Sequence, residues 1–377
     1  MDEGCRVHRR QAGRAIPDRP GRPPEHDQRA TPSRRWPRHH ATVERSIEWD
    51  GTIIAVDQCA LPSEFRRIRL TTIGELVDAV RRLAIRGAPA LGVAGCLGVA
   101  LSAVHHLHDG RVDEDAVLAD ARLLADARPT AVSLARGVRR ALARLPEGLD
   151  AVIDEGRTML AEDERVNRTV ARRTADVVRQ LCPGSQLSLL THCNTGGLAT
   201  VAWGTALGAI RELAMAGQVA DVFVGETRPL LQGARLTIWE LTEAYVPCRL
   251  CVDAAGPVAI ANGLVDCVLV GADRVARNWD VANKVGTYAL ACAAARHDVP
   301  FVVAAPESSV DPDTPDGASI SLEMRGPREV TEFAGRSTTV PGTRVYNPAF
   351  DITPGELISA VVTERRTWIR RSDYAQA

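Results

Sequence analysis

The rhythm of apolar and polar positions changes along the chain, and the changes divide it. Residues 1 to 43 have no rhythm: "RPGRPPEHDQRATPSRRWPRHH" is rich in Arg and Pro and poor in aliphatics. Such a stretch cannot bury a core, so a disordered Arg/Pro-rich extension is expected. From "SIEWDGTIIAVDQ" the pattern turns globular, and alternation at 52–56 predicts a strand or hairpin. "TIGELVDAVRRLAI" sets a Thr cap before apolar residues at helical spacing. "RGAPALGVAGCLGVALSAV" follows, with Pro89 where a first helical turn tolerates it. Two more helical stretches run from about 113 to 145, so residues 44–150 read as a smaller, mostly helical N-terminal domain.

"GLDAVIDEGRTMLAEDERVNRTVARRTADVVRQL" predicts one or two long helices joining that domain to residues 151–377. Strands and helices then alternate. The candidate strands are "QLSLLTHCN", "DVFVGET", "RLCVDAA", "DCVLVGAD" and "PFVVAAP". Between them helices are expected at 197–216, 230–244, 256–262 and 281–297. Apolar strands separated by helices indicate an α/β fold with a parallel sheet covered on both faces.

Composition narrows the function classes. A formal net charge of −1 offers no global field for nucleic acid or a membrane surface. No uninterrupted apolar run reaches the roughly 18 residues of a membrane span, and no secretory apolar segment follows the N-terminus. Nine scattered cysteines read as reduced thiols of a cytoplasmic protein. Cys248 and Cys251 form a CxxC without a second pair at zinc spacing, so they read as two small hydrophobes on a strand, and no metal is expected. Lysine and arginine together number 46, of which Lys284 is the single lysine.

In parallel sheets ligands bind beyond the carboxyl ends of the strands. Those ends carry Cys193 and Asn194, then Glu226, Thr227 and Arg228, then Asp253, then Asp273 and Arg274. "THCNTGG" passes from strand to glycines to an expected helix, whose amides can hold an anion and favour a reactive Cys193 thiol. "RGAPALG" sets Arg86 beside another helix start, and "ARPTAV" sets Arg128 at a third. Lys284 stands at the start of "NKVGTYALACAAA". A phosphate-bearing substrate fits all of these. The glycines form neither a strict dinucleotide fingerprint nor a Walker loop, so no nucleotide cofactor is inferred.

At these residues the chain resembles the methylthioribose-1-phosphate isomerase family. That family lies within a superfamily of aldose-phosphate isomerases and regulatory subunits of the guanine-exchange factor of translation initiation. The resemblance runs from about 47 to 367 through "RGAPALG", "RPTAV", "THCNTGGLATVAWGTALG", "ETRPLLQGARLTIWEL", "VGADRVARNWDVANKVGTYALA" and "YNPAFDITPGELI". It implies a Rossmann-like C-terminal domain, a homodimer and a role in methionine salvage. By resemblance Arg86, Gly87, Ala88, Arg128, Gln232, Asn283 and Lys284 bind substrate, Cys193 stabilises the transition state, and Asp273 donates a proton. No cofactor is implied. Two positions depart from the family pattern. Trp279 stands where a glycine is usual, so a reshaped loop before Lys284 is expected, because Trp adopts positive φ poorly. Ser133 replaces an asparagine.

The implied chemistry is isomerisation of S-methyl-5-thio-α-D-ribose 1-phosphate to the ribulose 1-phosphate. Phosphate on C1 locks the sugar ring, so a neutral acid must protonate the ring oxygen as the C1–O bond opens. Asp273, after the apolar "DCVLVGA", suits that step. The hydrogen on C2 then reaches C1, through an enediol or by hydride shift, with Cys193 as base or electrostatic partner. The rival substrates are 5-deoxyribose 1-phosphate and ribose 1,5-bisphosphate. The non-enzymatic rival is a translation-factor-like regulatory subunit, which has no use for Cys193, Asp273, Gln232 and Lys284 together.

Overall fold

The computed structural model describes residues 45–370; the extension expected at 1–43 lies outside them. Residues Ile47 to Leu160 supply most of one apolar core. A three-stranded antiparallel sheet (Ile47–Trp49, Ile53–Val56, Arg67–Leu70) lies beside helices Ile73–Arg81, Ala88–His105, Glu114–Ala125 and Val132–Leu142. The expected Thr cap is present: Thr72 and Glu75 form a reciprocal capping box. Helix Ala88–His105 is long and apolar enough to cross a membrane by composition, yet 78% of it is buried, as in a core helix.

Glycines bring helix Val132–Leu142 hard against that core helix. A Cβ on Gly137 would fall 1.8 Å from the Gly92 carbonyl oxygen, and one on Gly95 2.4 Å from that of Leu134. Any side chain there would force the helices apart, and the start of Ala88–His105 would move with them.

One helix, Leu149–Leu181, fills the long helical stretch with 33 residues. At 1.5 Å per residue it is about 50 Å long. It carries Val152, Met159 and Leu160 in the first core, and Val170, Ala175 and Val178 in a second.

The second core lies against a seven-stranded sheet: β1 Leu187–Thr191, β2 Val219–Gly225, β3 Cys248–Cys251, β4 Cys267–Val270, β5 Phe301–Ala304, β6 Ala360–Val362 and β7 Thr367–Ile369. The order is β7-β6-β5-β4-β1-β2-β3, parallel except for β7. This is the Rossmann-like order, extended by an antiparallel edge strand. It reverses direction between β1 and β4, which places Cys193 and Asp273 in the two loops beside the switch point. Cys248 packs with one face's core and Cys251 with the other's, so the CxxC is two separate apolar contacts on β3.

Two helix expectations fail at their starts. The helix expected from 197 begins at Ala206; residues 195–205 form an irregular loop, with a backbone bridge between Gly196 and Gly204. The helix expected from 281 begins at Thr287. Before it, Val281–Lys284 is a strand that pairs with Arg274–Ala276 and with Phe350–Thr353. The apolar run that looked helical belongs to a small second sheet, one of whose partner strands, Phe350–Thr353, lies far along the chain.

Candidate active site

Beyond the carboxyl ends of β1 and β4 lies a cavity of about 370 Å³. Its walls bring together all nine residues singled out in the sequence: Arg86, Gly87, Ala88, Arg128, Cys193, Gln232, Asp273, Asn283 and Lys284. Of the other strand-end groups, Arg274 lines the cavity beside Asp311 at 3.6 Å. Asp253 instead holds the loop after β2, where its carboxylate accepts from the Thr227 and Arg228 amides at 2.7 Å each.

Arg86 is buried at 8% exposure. Its guanidinium donates to Asn194 Oδ1 at 3.1 Å and to the Asn194 carbonyl at 3.0 Å. Among the described residues it has no ion-pair partner. Burial pulls its pKa below the ordinary value, against the opposing charges of Cys193, Asp273 and Glu240. The turn that follows Arg86 packs tightly on the loop after β1. Gly87 has φ of +93°, and a Cβ there would fall 2.1 Å from the Ala199 carbonyl oxygen. The Ala90 N–H is taken by that same carbonyl, Pro89 has none, and the Ala88 N–H opens the helix at the cavity wall.

Cys193 is half-buried, with φ of +61° in the left-handed region that a non-glycine residue occupies at a cost. Its N–H donates to Thr227 Oγ1 at 2.9 Å, and its carbonyl accepts from Thr237 Oγ1 at 2.6 Å. The Gly197 amide of the loop after it is turned to a protein carboxylate. Gly197 N–H donates to Glu240 Oε2 at 2.7 Å, and Asn194 Nδ2 donates to Glu240 Oε1 at 2.7 Å. At Gly197 the anion that "NTGG" holds is therefore the protein's own carboxylate, while Asn194 and Thr195 line the cavity. Burial pushes the Glu240 carboxyl upward, against those donors and Arg211.

Asp273 follows β4, and its backbone N–H donates to the Ala282 carbonyl at 3.0 Å. Its side chain is exposed to the open cavity, with protein on the sides away from it. Desolvation by that protein pushes its carboxyl above the usual range; Lys284, Arg86 and Arg128 pull the other way. Gln232 precedes a widened π turn at Gly233–Thr237, a form common at functional sites. Its side chain is buried, and Oε1 has no hydrogen-bond partner among the described residues. A buried amide oxygen left unpaired beside a cavity is a ready acceptor for a ligand hydroxyl.

Asn283 and Lys284 sit on the strand Val281–Lys284 rather than at a helix start. The amides that open the following helix, Gly286 and Tyr288, are taken by Asp351 Oδ2 at 2.7 and 3.2 Å. Lys284 Nζ donates to the Ala349 carbonyl at 2.9 Å and lies 4.1 Å from the centre of the Phe350 ring. Trp279 takes a positive φ of +71° and stacks on Trp368 at 5.4 Å. The loop keeps the backbone region a glycine would use, and the stacked ring offsets the strain.

Arg128 is held differently from Arg86. Its Nη2 meets Glu323 Oε2 at 3.2 Å; Thr130 Oγ1 donates to the same oxygen at 2.7 Å, and Arg325 Nη1 to Oε1 at 2.8 Å. Burial alone would raise the Glu323 carboxyl, but these donors and the two arginine charges hold it at about 2. Glu323, Thr130, Arg325 and Glu240 were missed in the sequence. Thr130 lies within "ARPTAV", the turn that drew attention to Arg128; Glu323, Arg325 and Glu240 lie neither at the end of a sheet strand nor in such a turn, so no local pattern marks them.

The family described as the Initiation factor 2 subunit family matches residues 84–368. A relative from Nocardia farcinica, named a probable bifunctional methylthioribose-1-phosphate isomerase/methylthioribulose-1-phosphate dehydratase, is 56% identical over 85% of this chain. The chain spans 58% of that relative's length. The solved structure of 5-methylthioribose 1-phosphate isomerase from Pyrococcus horikoshii OT3 is 33% identical at a TM-score of 0.80, covering 89% of this chain and 95% of its own. One from A. fulgidus, described as subunit delta of translation initiation factor eIF-2B, is 38% identical at 0.78, covering 87% and 96%.

Proposed function

The chain belongs to the Initiation factor 2 subunit family, on its methylthioribose-1-phosphate isomerase side, and we propose that it converts S-methyl-5-thio-α-D-ribose 1-phosphate to S-methyl-5-thio-D-ribulose 1-phosphate in methionine salvage. It is an aldose–ketose isomerase. The observation that carries the reading is one cavity joining a buried arginine free of any carboxylate among the described residues, a buried unpaired Gln232 oxygen, and the Asp273 carboxyl exposed to the same space. A regulatory protein has no need to leave the buried Arg86 charge and the buried Gln232 oxygen facing that space, since each costs stability.

In this reading Arg86, the Ala88 N–H, Arg128 and Lys284 hold the phosphate. Gln232 Oε1 accepts a sugar hydroxyl. Asp273, neutral, gives its proton to the ring oxygen as the C1–O bond opens. Cys193 then serves the transfer of hydrogen from C2 to C1; the C2 hydroxyl loses its proton as the ketone forms, and that proton replaces the one Asp273 gave, so atoms balance without a co-reactant. The substrate is a small sugar phosphate; the protein acts in the cytoplasm as a homodimer. The deciding experiment incubates the purified chain with methylthioribose 1-phosphate, 5-deoxyribose 1-phosphate and ribose 1,5-bisphosphate, without added metal or nucleotide. Ketose from the first is expected. Turnover of ribose 1,5-bisphosphate alone would overturn the substrate, and turnover of none would favour a regulatory role.

A further inference from the structure

The buried Arg86 raises a physical problem. A guanidinium must be held rigidly to recognise a phosphate, yet a carboxylate that held it directly would neutralise it. The structure holds it with uncharged oxygens, both from Asn194. Asn194 must then be held itself, because its amide could otherwise turn over and present Nδ2 to the guanidinium. Glu240 Oε1 accepts from Asn194 Nδ2 at 2.7 Å, and Thr237 Oγ1 stands at 3.2 Å from the same nitrogen. The other Glu240 oxygen is fixed by the Gly197 N–H at 2.7 Å.

The loop is built to let that carboxylate in. A Cβ on Gly196 would fall 2.3 Å from Glu240 Oε2. Glycine at 196 is thus required by Glu240.

We propose that Glu240 is a positioning residue for phosphate recognition: it fixes the orientation of Asn194, and through it aims Arg86 while leaving the guanidinium charge for the ligand. The negative charge stands one residue away from the cation it serves. This inference rests on the reading of the cavity as a sugar-phosphate site, and it names which buried group makes that site selective for an anion.

The test does not require turnover. The full chain is titrated with inorganic phosphate, followed by phosphorus NMR, for wild type, Glu240→Gln, Gly196→Ala, Arg86→Met and the two doubles on Arg86→Met. A glutamine would face one of the two donors with its own NH₂. The added methyl of Gly196→Ala displaces Glu240 without touching its charge. Each should weaken phosphate binding about tenfold, the scale of one misdirected charge-assisted hydrogen bond. On the Arg86→Met background neither should cost anything further, since Glu240 acts only through Arg86. A merely structural role would add its cost on both backgrounds, and that result overturns the proposal. So does tighter phosphate binding in Glu240→Gln, or no phosphate binding by the wild type. If Glu240→Gln fails to fold, Gly196→Ala carries the cycle alone. With substrate, both variants should raise KM with little change in kcat. Should no sugar phosphate be turned over while the cycle behaves as expected, the catalytic reading fails and this one stands.

Discussion

The two arginines that line the cavity are held in opposite ways. Arg86, on the wall formed by the helical layer and the loop after β1, is buried and, among the described residues, hydrogen-bonds to Asn194 oxygens without an ion-pair partner. Arg128, on the wall reached by the segment around Glu323, bonds directly to a carboxylate. The first keeps its full charge for a ligand. The second shares its charge with Glu323, which also takes Thr130 and Arg325. A pocket can thus hold one cation as its anion detector and another as a pre-set brace; counting basic residues would treat them alike.

The largest effects should fall at the switch point between those walls. Cys193→Ala and Asp273→Asn should each lower kcat by about a hundredfold or more, the usual scale for a lost acid–base group. Circular dichroism and melting temperature should stay near wild type. Near-normal turnover by either folded variant would remove that residue from the mechanism. The pH profile gives a second check on Asp273. Its carboxyl is pushed upward by desolvation, and the proton donor is the neutral form. Turnover should therefore hold at low pH and fall as pH rises through that raised value. A profile that instead rises with pH through the acid range would assign Asp273 as a base.

The two arginines should then separate. Arg86→Met should raise KM for the sugar phosphate by about a hundredfold, and Arg128→Met by about tenfold. The loss of a buried, unshared cation exceeds that of one already partly neutralised. Equal effects would abolish the distinction between detector and brace.

That contrast also marks what the sequence could tell. The switch-point wall was legible because its parts are local. Apolar runs predict β1 and β4, and Cys193 and Asp273 follow directly; "RGAP" announces Arg86 at a helix start. The Arg128 wall was legible only in Arg128 itself, because Glu323 arrives from almost two hundred residues away along a stretch without periodicity. The same cause explains the false helix starts. Val281 and Ala282 are apolar enough for a helix, but their pairing with Ile352 and Thr353 decides otherwise. The glycines of "NTGG" looked like an anion turn and are one, though the anion is Glu240, whose approach only the folded chain shows.

The smallest effect concerns Lys284, the single lysine among 46 basic residues. It sits on a strand whose partner carries Phe350, and its ammonium rests between the Ala349 carbonyl at 2.9 Å and the face of that ring at 4.1 Å. Both contacts suit a compact cation: one N–H goes to the carbonyl, the aromatic face takes the charge, and two N–H groups remain for the cavity. A guanidinium is a planar fork and bulkier. Anchored to Ala349, it would project over or past the ring and push into space that the phosphate needs. Where arginine stands on open surface the difference is harmless. Lys284→Arg should therefore keep the charge and the fold but lose about tenfold in kcat/KM, about 1.4 kcal/mol of transition-state binding. The measurement is made at subsaturating substrate, where kcat/KM is read directly. Full activity there would show that the seat between Ala349 and Phe350 accepts either cation, and that the lone lysine has no catalytic cause.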